Sequence, residues 1–241
     1  MQIPLLDPVD PDFPDPNRAI QEPDGLLAAG GNLSPTTVLT AYRQGIFPWF
    51  ENDDPILWWS PSTRCVLYPA KFHRSRSLLK TLRQQNYRVT SNRAFTEVIA
   101  ACSDPRDSDW GTWITPEMIE TYTELHSLGH AHSVEIWRDE LLVGGLYGLA
   151  IGNLFCGESM FSRSANASKI AIAHLCRWAL DSGLQLIDCQ LVNPHLLTLG
   201  AEPVERKEFL SLLHSGRDTA IDWQMLGSQH QPGRLHYPWR S

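Results

Sequence analysis

Alternation of apolar and polar positions is clearest over residues 131–163. Ala131–Arg138 reads as a strand that turns at Asp139-Glu140 into the apolar run Leu142-Val143-Gly144-Gly145-Leu146-Tyr147-Gly148. A second strand-like run, ending at Phe161-Ser162-Arg163, is joined to the first across Leu149–Asn153. Glycines at 144, 145, 148, 152 and 157 interrupt the pair. A glycine within a strand marks a bulge or a close approach by a ligand or another backbone, and a tightly packed hairpin accounts for these equally well. One acid, Glu158, stands at the end of this apolar wall.

Helical spacing appears on both sides of the hairpin. Ser34 and Pro35 open a helix that Gly45 stops; Thr115 and Pro116 open another that Gly129 stops. His73–Gln84 turns Leu78, Leu79 and Leu82 inward, and a further helix covers about Arg93–Cys102. Ser168 is placed to cap a helix carrying Ile170, Ile172, Leu175, Cys176, Ala179 and Leu180, with Gly183 as its stop. A last helix spans roughly Glu205–His214. Cys65–Tyr68, Tyr87–Thr90 and Leu184–Leu191 read as strands. Residues 1–30, with six prolines by Pro23, predict no regular element. From about residue 64 onward this mixture is α+β on a largely antiparallel sheet. The acyl-CoA N-acetyltransferase fold has the same order, although its Q/R-x-x-G-x-G/A signature is absent here.

Composition changes this picture little, and charge changes it more. At 42% hydrophobic and 20% charged, the 241 residues are ordinary for a globular protein and can form one domain or two. No apolar run approaches the roughly 18 residues a membrane helix needs. The N-terminus lacks a signal core, and five scattered cysteines fit free thiols, so the expected location is the cytoplasm. Net charge is −7, yet residues 55–96 hold eight bases and no acid. Within that window Arg76, Lys80 and Arg83 share one helix face. A row of this kind is either a solvated face or a seat for phosphates.

Several residues could carry chemistry. Strand alternation puts Asp188 and Gln190 on one face and Cys189 on the other. A buried carboxylate and amide need partners, so they form either a structural network or a site. Cys189 has no evident base and reads as a packed thiol. Ser159 lacks the glycine pattern of a hydrolase elbow. His126, His130 and His132 straddle a helix end, which argues against a metal, and no P-loop or dinucleotide fingerprint occurs. Trp58 and Trp59 suit a small core, whereas Trp49, following a proline, suits a pocket.

The chain strongly resembles the leucyl/phenylalanyl-tRNA–protein transferase family. The resemblance rests on Gly25–Pro35, Gly45–Phe50, Pro55–Pro61, Gly111–Thr115, His130–Glu135, Phe155–Arg163, Asn166–Lys169 and Leu186–Gln190, and spans about residues 13–210. It implies a small N-terminal domain (1–63) and a C-terminal acetyltransferase-like, GNAT-type domain (64–241). It implies transfer of Leu or Phe, and Met less well, from aminoacyl-tRNA to a protein with an N-terminal Arg or Lys, marking that protein for degradation.

An aminoacyl ester is already activated, so the reaction needs no metal, cofactor or enzyme nucleophile; it needs positioning, a proton route and oxyanion stabilisation. By the resemblance, Asp188 and Gln190 handle the proton. A neutral amide is too weak a base to take it outright. Gln190 is therefore expected to orient the amine while Asp188 supplies negative potential. Glu158 matches an active-site acid suited to a cationic acceptor. The amino-acid pocket carries over to Trp49, Trp113, Phe155, Met160, Ser162 and Ile187. Leu146, Ile172 and Leu175 are expected in the same lining, where they bear on the Leu:Phe:Met preference. The row Arg76, Lys80 and Arg83 would hold acceptor-stem phosphates. An acyl-CoA acetyltransferase and a non-catalytic tRNA-binding module are the competing readings.

Overall fold

The computed structural model describes residues 3–51, 54–84, 86–104 and 114–223. A small sheet pairs β1 (Leu5–Leu6), β2 (Leu26–Gly30), β3 (Phe47–Pro48) and β4 (Leu57–Trp59) in the order β1-β2-β4-β3. Helix α1 (Pro35–Tyr42) joins β2 to β3, with Ser34 Oγ accepting from the Thr37 N–H at 3.3 Å and Pro35 in its first turn. The larger sheet contains β5 (Thr63–Leu67), β6 (Arg88–Ser91), β7 (Ala131–Arg138), β8 (Leu141–Ile151), β9 (Leu154–Ser162), β10 (Leu186–Asp188) and β11 (Glu202–Glu205). Their order is β11-β5-β10-β9-β8-β7-β6, and every neighbour is antiparallel except β9 with β10. The architecture is thus α+β, with a small N-terminal part and a mixed, largely antiparallel C-terminal sheet. The helices of this second part are α2 (Arg76–Gln84), α3 (Phe95–Ser103), α4 (Pro116–Ser127), α5 (Ala167–Ser182), α6 (Pro194–Thr198) and α7 (Arg206–Gly216).

Glycines let helices close on both faces of β8. A Cβ on Gly144 would come within 2.4 Å of Ala167 Cβ on α5, and one on Gly145 within 3.2 Å of Val98 Cγ2 on α3. Successive residues of a strand face opposite ways, so α5 and α3 cover opposite faces of the sheet. One apolar core joins the two parts: Val38, Tyr42, Trp58, Ile99, Tyr122, Tyr147 and Leu213 belong to the same buried cluster. Among the described residues no helix is long and apolar enough to cross a membrane.

Several expectations need correction. Residues 1–30 are not without regular structure: they supply β1, a short 3-10 helix at Pro16–Arg18, and β2. Proline density hid these because Leu5 and Leu6 add only one short parallel rung. The hairpin turn is confined to Gly152-Asn153, since Leu149–Ile151 continue β8. Helix α5 starts at Ala167 with Asn166 in the left-handed region and no side-chain cap, so Ser168 lies inside the helix and is not its cap. The strand expected over Leu184–Leu191 is only Leu186–Asp188. Its brevity shapes the site.

Candidate active site

Strands β9 and β10 pair from Leu186↔Leu154 to Asp188↔Cys156, where β10 ends, while β9 runs on to Ser162. Beyond that point the two chains separate and a cavity of about 410 Å³ opens between them. Gly157, Glu158 and Met160 of β9 line one side, and Cys189, Gln190 and Asn193 line the other. Phe47, Pro48 and Trp49 come from the N-terminal part, so both parts of the molecule build the cavity. Leu146, Phe155, Ile172, Leu175 and Ile187 supply an apolar wall. Trp49 is 41% exposed at this cavity, its ring 5.5 Å from that of Trp59.

The polar end is a compact network around Glu158. The Tyr42 hydroxyl donates to Glu158 Oε1 at 2.8 Å, and the Tyr122 hydroxyl donates to Oε2 at 3.0 Å. The two hydroxyls lie 2.8 Å apart. Gln190 Nε2 donates to Glu158 Oε1 at 3.1 Å across the gap between the strands. Burial pushes the Glu158 carboxyl up to about 7, with the tyrosine hydrogen bonds pulling the other way. Burial first and the Glu158 charge second raise both tyrosines well above their ordinary value, so they remain donors at neutral pH.

Asp188 is placed differently from expectation. It does not line the cavity but lies fully buried behind it, where Arg64 Nε and Nη2 donate to its two oxygens at 2.8 and 2.7 Å. Arg64 Nη1 also donates to the Gly45 carbonyl at 3.1 Å, and its guanidinium sits between the rings of Phe47 and Phe209 at 4.7 and 4.4 Å. Asp188 Oδ1 accepts the Gln190 backbone N–H at 3.0 Å. Gln190 has φ +55, which breaks the strand alternation. Hence Asp188 and Gln190 do not share a face, and Cys189 lines the cavity instead of packing away from it. The Cys189 thiol is pushed up by its hydrogen bond with Cys65 and by burial, which keeps it protonated and a poor nucleophile.

Of the expected pocket residues, Trp49, Phe155, Met160 and Ile187 come together around this cavity with Leu146, Ile172 and Leu175. Ser162 does not: it is exposed in a neighbouring groove, with its hydroxyl donating to the Ser164 carbonyl. Trp113 lies outside the described residues. Arg76, Lys80 and Arg83 are exposed on α2, away from the cavity walls. Arg64 belonged to the basic window but is no surface charge, and Lys71 and Arg88 pair with Glu202 and Glu140. Sequence reasoning missed Arg64, Tyr42 and Tyr122 as members of the site. The two tyrosines sit on helix faces where a core aromatic leaves the same pattern. Among the histidines, His126 Nδ1 is 2.8 Å from the Ala131 carbonyl and His132 stacks on Trp223. Among the described residues no three potential ligands are grouped to hold a metal.

This arrangement can hold an apolar side chain beside a carbonyl and present an acid and an amide to an incoming cation. The sequence compares closely with proteins of one kind. The family signature "Leucyl/phenylalanyl-tRNA protein transferase" matches residues 66–214, and that of its N-terminal domain matches residues 31–62. Relatives carrying the name leucyl/phenylalanyl-tRNA–protein transferase include one from Shewanella baltica, 54% identical over 210 residues (87% of this chain, 89% of that one). One from Cellvibrio japonicus is 52% identical over 225 residues (92% and 96%). One from Aromatoleum aromaticum is 57% identical over 199 residues (83% and 84%). Among solved structures, L-PGS from Bacillus licheniformis is 15% identical over 56% of this chain and 49% of its own, at a TM-score of 0.38. Matches of this identity over most of both chains place this chain in the leucyl/phenylalanyl-tRNA–protein transferase family.

Proposed function

We propose that this chain is an aminoacyltransferase. It moves Leu or Phe, and Met less well, from aminoacyl-tRNA to the N-terminal Arg or Lys of a protein, and the new peptide bond marks that protein for degradation. The observation that carries the reading is the cavity in the strand gap, apolar on one wall with Glu158 and Gln190 facing each other at its polar end. The division of labour follows at about residue 63. The N-terminal part contributes Phe47, Pro48 and Trp49 to the lining and Tyr42 to Glu158, and the GNAT-like part contributes Tyr122, Glu158, Gln190 and the remaining lining.

The donor's apolar side chain packs among Leu146, Ile172, Leu175 and Ile187, a lining that selects by volume and so accepts Leu, Phe and Met. The acceptor amine attacks the ester carbonyl. A C–N bond forms, the bond from that carbonyl to the ribose 3′-oxygen breaks, and the amine proton leaves as the tRNA hydroxyl is released. Gln190 donates its Nε2–H to Glu158, so its Oε1 is turned to accept from the amine and orient it. Glu158 near neutrality offers a carboxylate to the cationic N-terminal residue and a place for the proton the amine loses. The Asp188 charge is offset by Arg64, so we assign it to positioning: it fixes the Gln190 backbone in its left-handed conformation.

The test uses purified protein, leucyl-tRNA and a peptide beginning with Arg. A peptide lengthened by one Leu, in the absence of coenzyme A, is the expected product. Acetylation of the peptide from acetyl-CoA, or tRNA binding without transfer, would overturn the proposal.

A further inference from the structure

We propose that a second groove, opening beside the donor cavity, seats the phosphodiesters of the unpaired 3′ end of the donor tRNA; this rests on the transfer function proposed above. The groove encloses about 840 Å³ and shares Met160, Asn193 and Leu196 with the cavity. An amino acid esterified to a terminal ribose and held in the cavity must let its preceding nucleotides leave through an adjoining opening. This one adjoins it.

Charge marks the groove for anions. Arg163, Lys169 and His195 line it against one acid, Asp104, whose carboxylate already accepts from Arg163 Nη2 at 2.8 Å. Lys169 stands in the first turn of α5, which holds no acid and no side-chain cap. A cation there opposes the helix dipole. Lys169 and His195 also repel: partial burial first, and the Lys169 charge second, hold the imidazole below its usual range. An anion between them relieves both conflicts. The groove also leads outward. Asn166, on its wall, donates from Nδ2 to Thr81 Oγ1 on α2 at 3.2 Å. The exposed row Arg76, Lys80 and Arg83 lies on that same helix. A single strand leaving the cavity therefore runs past Lys169 and His195 towards the basic row.

The test compares binding of the RNA trinucleotide CCA with binding of adenosine, which lacks internucleotide phosphates. The full chain is used, with Lys169→Gln, His195→Gln and the double variant beside it. For wild type, CCA binds about tenfold tighter than adenosine, and its log K falls with log salt at neutral pH at a slope of about −0.7, for the one single-strand phosphate that Lys169 neutralises. In the double variant the CCA-to-adenosine ratio falls towards unity and the slope flattens, with the far-ultraviolet circular dichroism unchanged. An unchanged ratio and slope in the double variant overturn the proposal. So does displacement of CCA by coenzyme A at lower concentration than by adenosine, which would assign the groove to an acyl carrier's pyrophosphate. The two readings separate cleanly. Leucine transfer with an unaltered ratio sinks the groove alone, and a collapsed ratio without any transfer sinks the function alone.

Discussion

Removing the Asp188 carboxylate would leave the Arg64 guanidinium, 2% exposed, without its bidentate partner. A buried charge stripped of its partner costs about 3–5 kcal/mol, whereas replacing both members with apolar groups of similar volume is near neutral. Asp188→Asn is therefore expected to lower unfolding free energy by about 3 kcal/mol or more. The Arg64→Met/Asp188→Leu pair should lose distinctly less than the sum of its single changes. Urea denaturation of the two singles and the double checks this, and simple additivity would exclude the coupling. Glu158 gives a second prediction, in pH. Its carboxyl rises from 4.5 to about 7 on folding, so the native state keeps a proton that the unfolded chain has released in between. Stability from this group is therefore lost as pH rises through that window and levels off above 7. Glu158→Gln removes that slope. Its stability relative to wild type should climb by about 3 kcal/mol from pH 4.5 to pH 8, and a flat difference in melting across the same range would exclude the shift. Glu158 was legible as a candidate because it is the one acid beside an apolar, glycine-rich run. Arg64 was not. Burial of a guanidinium depends on a partner 124 positions away, and local composition carries no trace of it.

At the scale of elements, the helices with capping signals were readable, and the short rungs were not. Ser34 with Pro35 and Thr115 with Pro116 supply a side-chain acceptor and a fixed φ in the first turn, both visible in sequence. By contrast β10 ends after three residues because Gln190 leaves extended backbone, and nothing in Ile187-Asp188-Cys189-Gln190 encodes that departure. Alternation therefore misplaced Asp188 and Cys189, of which the structure buries the first and turns the second to the cavity. Glycine was ambiguous for a similar reason: sequence could not tell a glycine that lets backbones touch from one with open space. The structure separates them. A Cβ on Gly148 would fall 2.2 Å from the Cys156 carbonyl oxygen, at the bulge between β8 and β9, whereas one on Gly157 meets nothing nearer than 3.6 Å. Gly148→Ala should cost about 3 kcal/mol because backbone has to move. Gly157→Ala should stay within about 1 kcal/mol of wild type. Chemical denaturation of both decides; equal losses would mean that the glycines serve strand flexibility rather than close packing.

At the scale of the molecule, an acidic protein has to gather a polyanion. Its net charge of −7 repels nucleic acid at a distance, so binding depends on local fields within roughly a Debye length, about 10 Å at 0.1 M salt. Several bases of the 55–96 window are neutralised by acids from elsewhere: Arg64 by Asp188, Lys71 by Glu202 and Arg88 by Glu140. Arg76, Lys80 and Arg83 form no ion pair with another described residue and stay exposed along α2. A row of three spaced by one and two helical turns would suit a duplex backbone, whereas the groove proposed at Lys169 and His195 would take a single strand. The two should separate by salt dependence. Reversing all three charges of the row (Arg76→Glu, Lys80→Glu, Arg83→Glu) is expected to reduce the salt slope for a charged tRNA by about 2–3, near 0.9 for each duplex phosphate released. The slope for the trinucleotide CCA should stay as it was, because none of the residues lining the groove proposed for it belongs to α2. A tRNA slope unchanged by the triple reversal would make the row a solvated face. A CCA slope that fell with it would mean that one diffuse field, not two seats, draws the ligand in.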